Sequence, residues 1–251
     1  MLFTNPQLAP EDLPAYYPSD YSAHAADRPD QRRGGRSGKD PWDRLPEFGG
    51  KRLLDVGCGS GAYLLRQREA GWTVFGVEPS AAAVEAARRY GLEVVEGVIP
   101  GVALPSQPFD VITMLGVLDH VPDPLVTLRE LRQKLCLGGR LIASVPNAAS
   151  FAAHLFRKFW PGWDLPRHQN HFAPGTLTKM FHRAGFSTVE LSWKRRTSRW
   201  KRGTDLVTNL LPFPLSWICH HTAYRFRLPS IYAWAGSRGL RSDEIVAVAG
   251  R

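Results

Sequence analysis

From Arg52 onward the chain alternates short apolar runs with longer stretches of helical period. RLLDV (52–56), WTVFGVE (72–78), LEVVEG (92–97), FDVITML (109–115) and GRLIASVP (139–146) read as strands. AYLLRQREAG (62–71), SAAAVEAARRYG (80–91) and DPLVTLRELRQKL (123–135) read as the helices between them. Strand and helix in repeated succession predict an α/β protein whose doubly wound, mostly parallel sheet is covered on both faces. Two helix starts are legible: Ser80 as an N-cap, and Asp123 as an N-cap followed by Pro124 at the first helical position. Beyond Pro146 the pattern gives a short helix in FAAHLFRKFW, a loop in PGWDLPRHQNHF, a helix in PGTLTKMFHRAGF and a strand in STVELSW. The interval 194–242, broken by Pro212, Pro214 and Pro229, shows no clean period and reads as an elaborated C-terminal insertion. DEIVAVAG then alternates and predicts an antiparallel last strand at the sheet edge.

Residues 1–50, rich in Pro, Asp, Arg and Gly, read as a lead-in with a flexible stretch from Asp27 to Pro41, and residues 51–251 as one domain. With 251 residues and 43% hydrophobic positions, the chain can bury a sizeable core. Cys58, Cys136 and Cys219 are far apart, which excludes a disulfide framework and a structural zinc site by spacing. No run approaches the length of a membrane span, and no basic segment precedes an apolar leader, so a cytoplasmic protein is expected. The net charge of +9 is uneven: residues 1–150 hold 16 Lys/Arg against 18 Asp/Glu, and residues 151–251 hold 16 against 5. The basicity therefore belongs to the last two-fifths of the chain.

The most informative stretch is Asp55-Val56-Gly57-Cys58-Gly59-Ser60-Gly61, where a buried strand turns through three alternate glycines into a helix. Glycine accepts positive φ and lets a ligand approach the backbone, and the helix start offers unpaired N–H groups to an anion. Gly57, Gly59 and Ala62 also satisfy a dinucleotide fingerprint, so the glycines alone do not choose a ligand. Asp55 separates the readings, because a carboxylate at the strand tip repels a pyrophosphate and suits a ligand carrying an ammonium. Glu78, ending the second strand before Pro79, is placed to accept ribose hydroxyls in either case.

DVGCGSG, VEPS and the segment from Phe109 to Asn147 resemble the class I S-adenosylmethionine-dependent methyltransferases, from about Leu53 to Phe186 with a final strand at Asp243–Ala249. Asp119-His120-Val121-Pro122-Asp123-Pro124 is similar to the EHVPDP stretch of quinone-biosynthesis O-methyltransferases, with Asp for the usual Glu; Cys136-Leu137-Gly138-Gly139 stands where that branch has Lys-Pro-Gly-Gly. The resemblance implies a seven-stranded Rossmann-like fold and S-adenosylmethionine as cofactor. Asp55, Gly57, Cys58, Gly59 and Gly61 would surround its methionine part, with Glu78 and Pro79 at the ribose, Val98 at the adenine, and Leu115, Gly116 and Val117 beside the reactive methyl.

Methyl transfer to a hydroxyl benefits from a base near neutrality, which favours histidine. His168 and His171, in PRHQNHF, fall in the loop above the fifth strand, where acceptors enter open α/β sheets, and His120 follows the fourth strand. No metal is expected, because HxxH in a loop brings no third ligand. Tyr16, Tyr17, Tyr21 and His24 read either as a lid over the cofactor or as a cover for the sheet. Lys194–Arg202 holds six basic residues with Trp193 and Trp200 interleaved, and LVTNLLPFPLSWI follows; residues 194–220 are candidates for a solvated face, an anionic lipid surface or a homodimer contact. The expected activity is methylation of a small-molecule acceptor on oxygen. The rivals are an NAD-dependent oxidoreductase using the same turn, a non-catalytic cofactor-binding module, and an RNA methyltransferase, against which stands the lack of a recognised RNA-binding module.

Overall fold

The computed structural model describes residues 2–4, 12, 16, 42, 45, 50–194, 197–208 and 242–251. Strands β2 (Arg52–Val56), β3 (Thr73–Glu78), β4 (Val94–Glu96), β5 (Phe109–Leu115), β6 (Leu135–Pro146), β8 (Thr188–Lys194) and β9 (Glu244–Gly250) form one seven-stranded sheet in the order β4-β3-β2-β5-β6-β9-β8. The pairs from β4 to β6 are parallel, and β9 is antiparallel to both of its neighbours. A separate two-stranded ribbon joins β1 (Leu2–Phe3) to β7 (Asn170–His171).

Period-two alternation divides the apolar residues between two cores. Leu54 and Val56 of β2, Ile112 and Met114 of β5, and Leu141, Ala143 and Val145 of β6 face one side. There they meet Leu128 and Leu131 of α3 (Pro124–Lys134) and Leu177 and Phe181 of α5 (Pro174–Arg183). Leu53, Val74, Val111 and Ile142 face the other side, against Tyr63 and Leu64 of α1 (Ala62–Glu69) and Val84 and Ala87 of α2 (Ala81–Arg89). The helix starts form as expected. Ser80 Oγ accepts from Ala83 N at 3.4 Å, and Asp123 Oδ1 accepts from Leu125 N and Val126 N at 3.0 Å.

Two expectations need correction. The last strand is not at the edge: β9 lies between β6 and β8, and β8 is the edge strand. Its sequence permits this, because Ile245, Ala247 and Ala249 enter one core while Val246 and Val248 pack on the other, so both faces are apolar. The interval after Lys194, read as without period, contains α6 (Thr197–Thr208) before its first proline. This helix docks on α4 (Phe151–Phe156) through Gly203, where a Cβ would stand 2.8 Å from the Phe156 ring. Tyr17, Tyr21, His24 and most of the 194–220 surface lie outside the described residues.

Candidate functional site

The parallel strands β2, β3 and β5 end together, and their carboxyl ends gather the glycine turn, Glu78 and the loop after Leu115. Gly57, Gly59 and Gly61 all have positive φ, at 73°, 55° and 82°. A Cβ on Gly57 would stand 2.4 Å from Val117 Cγ2, so the residue expected beside the methyl packs directly on the first glycine. Gly116, next to it, also has positive φ and has nothing within 4 Å of where a Cβ would be. Cys58 contributes backbone only: its side chain is buried in the core under α1 and α2, against Gly76, and burial drives its thiol upward.

Asp55 and Glu78 are both buried at the mouth of this turn. Asp55 Oδ1 accepts a 2.6 Å hydrogen bond from Thr113 Oγ1. Burial, and secondarily Glu78, raises its pKa to about 7 against the opposing effects of Thr113 and Arg66. Glu78 Oε2 accepts from Gly59 N at 2.9 Å and Oε1 from Ser80 N at 3.0 Å, so this carboxylate also braces the turn it adjoins. Thr113 escaped the sequence reading. Its only signal was a lone hydroxyl within an apolar strand.

Val98 is exposed beyond β4 and Pro79 beyond β3, leaving both open to the cleft edge. A left-handed turn with open space at Gly116, a helix start and two buried carboxylates fit a nucleoside bearing an amino-acid group. They do not fit a pyrophosphate, which would meet Asp55.

The second half of the site lies in the loops after β5 and β6. The backbone carbonyl of Asp119 accepts from Gln169 N at 2.9 Å and Asn170 N at 3.0 Å, joining the two loops. Its side chain gathers two histidines: Oδ2 lies 3.1 Å from His168 Nε2 and 4.0 Å from His120 Nε2. His168 Nδ1 is 2.9 Å from the carbonyl oxygen of Gly162. Both nitrogens of His168 are thus turned toward protein oxygens.

The His120 ring lies edge-on to His168 with centroids 4.6 Å apart. Burial, aided by His168 and Arg167, pulls its pKa below the ordinary histidine value against Asp119 and Asp164. His171 packs edge-on to Trp163, which packs edge-on to the buried Trp160, each pair at 5.0 Å. Burial and His168 likewise lower the pKa of His171, against Asp119.

His168 and His171 are therefore close neighbours but do not share the carboxylate. The HxxH pair of His168 and His171 gains no third donor; instead Asp119, His120 and His168 bring their ligand atoms within 4.8 Å of one another. Asp119 was legible only as part of a motif, and its buried Oδ1 has no hydrogen-bond partner.

A family model described as a methyltransferase domain matches residues 30–191. The chain belongs to this methyltransferase family. It is 31% identical over 186 residues to the ubiquinone biosynthesis O-methyltransferase of Aromatoleum aromaticum, covering 67% of this chain and 79% of that protein. Among solved structures, a Haloferax volcanii putative methyltransferase complexed with the activator Trm112 superposes with a TM-score of 0.60 at 18% identity, over 83% of this chain and 86% of the other. Phosphoethanolamine N-methyltransferase 2 of Haemonchus contortus, complexed with S-adenosyl-L-methionine, gives 0.57 at 13% identity over 82% of this chain and 50% of that one. The methyltransferase is thus S-adenosylmethionine-dependent, its sheet is the Rossmann-like one expected, and the dinucleotide reading of its glycine turn is not favoured. Among the described residues no helix is long and apolar enough to cross a membrane.

Proposed function

We propose that the methyltransferase methylates a phenolic hydroxyl of a small aromatic acceptor. The carrying observation is the aromatic cluster of Trp160, Trp163 and His171 with His120 and His168 beside it, in the loops after β5 and β6, where burial lowers the pKa of His120 and His171. Its likeness to ubiquinone biosynthesis O-methyltransferases supports the same acceptor class.

When bound, S-adenosylmethionine supplies an activated methyl, so the protein's task is mostly alignment. Asp55 receives the ammonium and Glu78 the ribose hydroxyls. The N–H groups opening α1 face the carboxylate, while Leu115, Gly116 and Val117 border the methyl, Cys58 lends backbone and Val98 and Pro79 flank the adenine edge. Asp119 and His168 hold the two loops in register. His171 accepts the phenolic proton, and His120 is the alternative acceptor. A cytoplasmic location accords with the free thiols of Cys58 and Cys136.

The test is transfer of radiolabelled methyl from S-adenosylmethionine to a panel of catechols, simple phenols, aromatic amines and total RNA. Label confined to oxygen of the phenols is expected; label confined to amines or RNA refutes the assignment. Loss of transfer in Asp55→Ala and Glu78→Ala ties it to the described cleft.

A further inference from the structure

The first strand lies outside the stretch matched by the family model, yet it reaches the acceptor side. β1 pairs with β7, Leu2 opposite His171 and Phe3 opposite Asn170, and Thr4 N donates to the Gln169 carbonyl at 3.0 Å. The Thr4 hydroxyl then meets two groups of the histidine loop: the carbonyl oxygen of His168 at 2.7 Å and Nε2 of His171 at 3.3 Å.

A threonine hydroxyl has one proton to give. The His168 carbonyl can only accept, so that proton goes to it. The hydroxyl oxygen is left to accept, and among the described residues the proton offered to it is one on Nε2 of His171. Burial favours the neutral ring, which carries a single proton. Placed on Nε2, it leaves the lone pair on Nδ1, which makes no hydrogen bond among the described residues. Trp163 holds the plane of the ring while Thr4 holds its tautomer.

We propose that Thr4 is a positioning residue that fixes His171 as the Nε2–H tautomer and so presents Nδ1 as the proton acceptor for the substrate hydroxyl. The assignment rests on His171 being the base in the proposed function. In the step it serves, the substrate oxygen forms its bond to the methyl carbon as the carbon–sulfur bond breaks, with sulfur keeping the electron pair. The phenolic proton passes to Nδ1, and His171 becomes a cation whose Nε2–H still points at Thr4.

Long-range proton–nitrogen correlation spectra of the full-length, 15N-labelled protein read the tautomer directly, with the His171 signals assigned by their loss in His171→Gln. The wild type is expected to show protonated Nε2 and bare Nδ1, Thr4→Val a shift toward Nδ1–H, and Thr4→Ser the wild-type pattern. Turnover of a dihydroxybenzoate probe is expected to fall about tenfold in Thr4→Val and to recover in Thr4→Ser, with S-adenosylmethionine affinity unchanged within about twofold. A wild-type ring protonated on Nδ1, or a tautomer indifferent to Thr4→Val, overturns the proposal without need of kinetics. A tautomer that changes while turnover does not removes His171 as base, and Thr4's catalytic part with it, leaving methylation of phenols standing.

Discussion

Every side chain and turn proposed to grip the cofactor's amino-acid and ribose ends, apart from Thr113, lies between Asp55 and Glu78. The acceptor side draws Thr4, Asp119, His120, Trp163, His168 and His171 from three widely separated stretches. The first region is made largely of backbone: positive-φ glycines, a helix start, and a Glu78 carboxylate tied to two amides. The second is made of side chains that hold one another. A backbone site tolerates little substitution at its glycines and is insensitive to remote change. A side-chain site loses its geometry when any one member is removed.

The largest expected effect is on the backbone side. Gly57→Ala forces positive φ on a residue with a Cβ and drives that Cβ onto Val117, and S-adenosylmethionine affinity by calorimetry is expected to fall at least about 100-fold. Full retention of affinity would show that the turn does not form the cofactor site.

Asp55→Asn is expected to weaken the cofactor about 30- to 100-fold, the worth of a desolvated ion pair to an ammonium. The same change should stabilise the free protein. The folded carboxyl binds its proton more tightly than the unfolded one, so its contribution to stability is full below about pH 4 and is lost as pH rises through about 7. Thermal melts at pH 8 should therefore show Asp55→Asn above the wild type, by on the order of 1–2 kcal/mol, with the gain shrinking toward pH 5. Because Asp55 must ionise to take an ammonium, wild-type affinity should strengthen by about tenfold between pH 6 and pH 8. A flat profile would separate Asp55 from the ammonium.

Asp119→Asn tests the other side. It removes the charge that His168 donates to, and turnover is expected to fall about tenfold with cofactor affinity unchanged within about twofold. An equal fall in affinity would merge the two regions into one. The smallest effect is expected at Val98→Ser: its exposed side chain is proposed to give the adenine one apolar contact, worth about a two- to threefold change in affinity.

Most of the sheet and the glycine turn were legible in the sequence, because period-two strands, N-caps and alternate glycines are local signals set by short-range sterics. The position of β9 was not, since an apolar alternating strand is equally consistent with an edge and an interior place until β8 is seen to pair with it. α6 was obscured by the prolines that follow it, and its docking depends on a single glycine meeting Phe156 across the fold.

What the chain fixes by itself is the doubly wound architecture and a glycine turn beside a buried carboxylate, because strand alternation and the backbone freedom of Gly57, Gly59 and Gly61 act over a few residues. Only the tertiary structure decided which histidines share Asp119, which nitrogens remain open, and that a threonine at position 4 touches a histidine at position 171. Hydrogen-bond bookkeeping among residues so far apart has no periodicity to announce it; it exists once packing has brought donors and acceptors within reach.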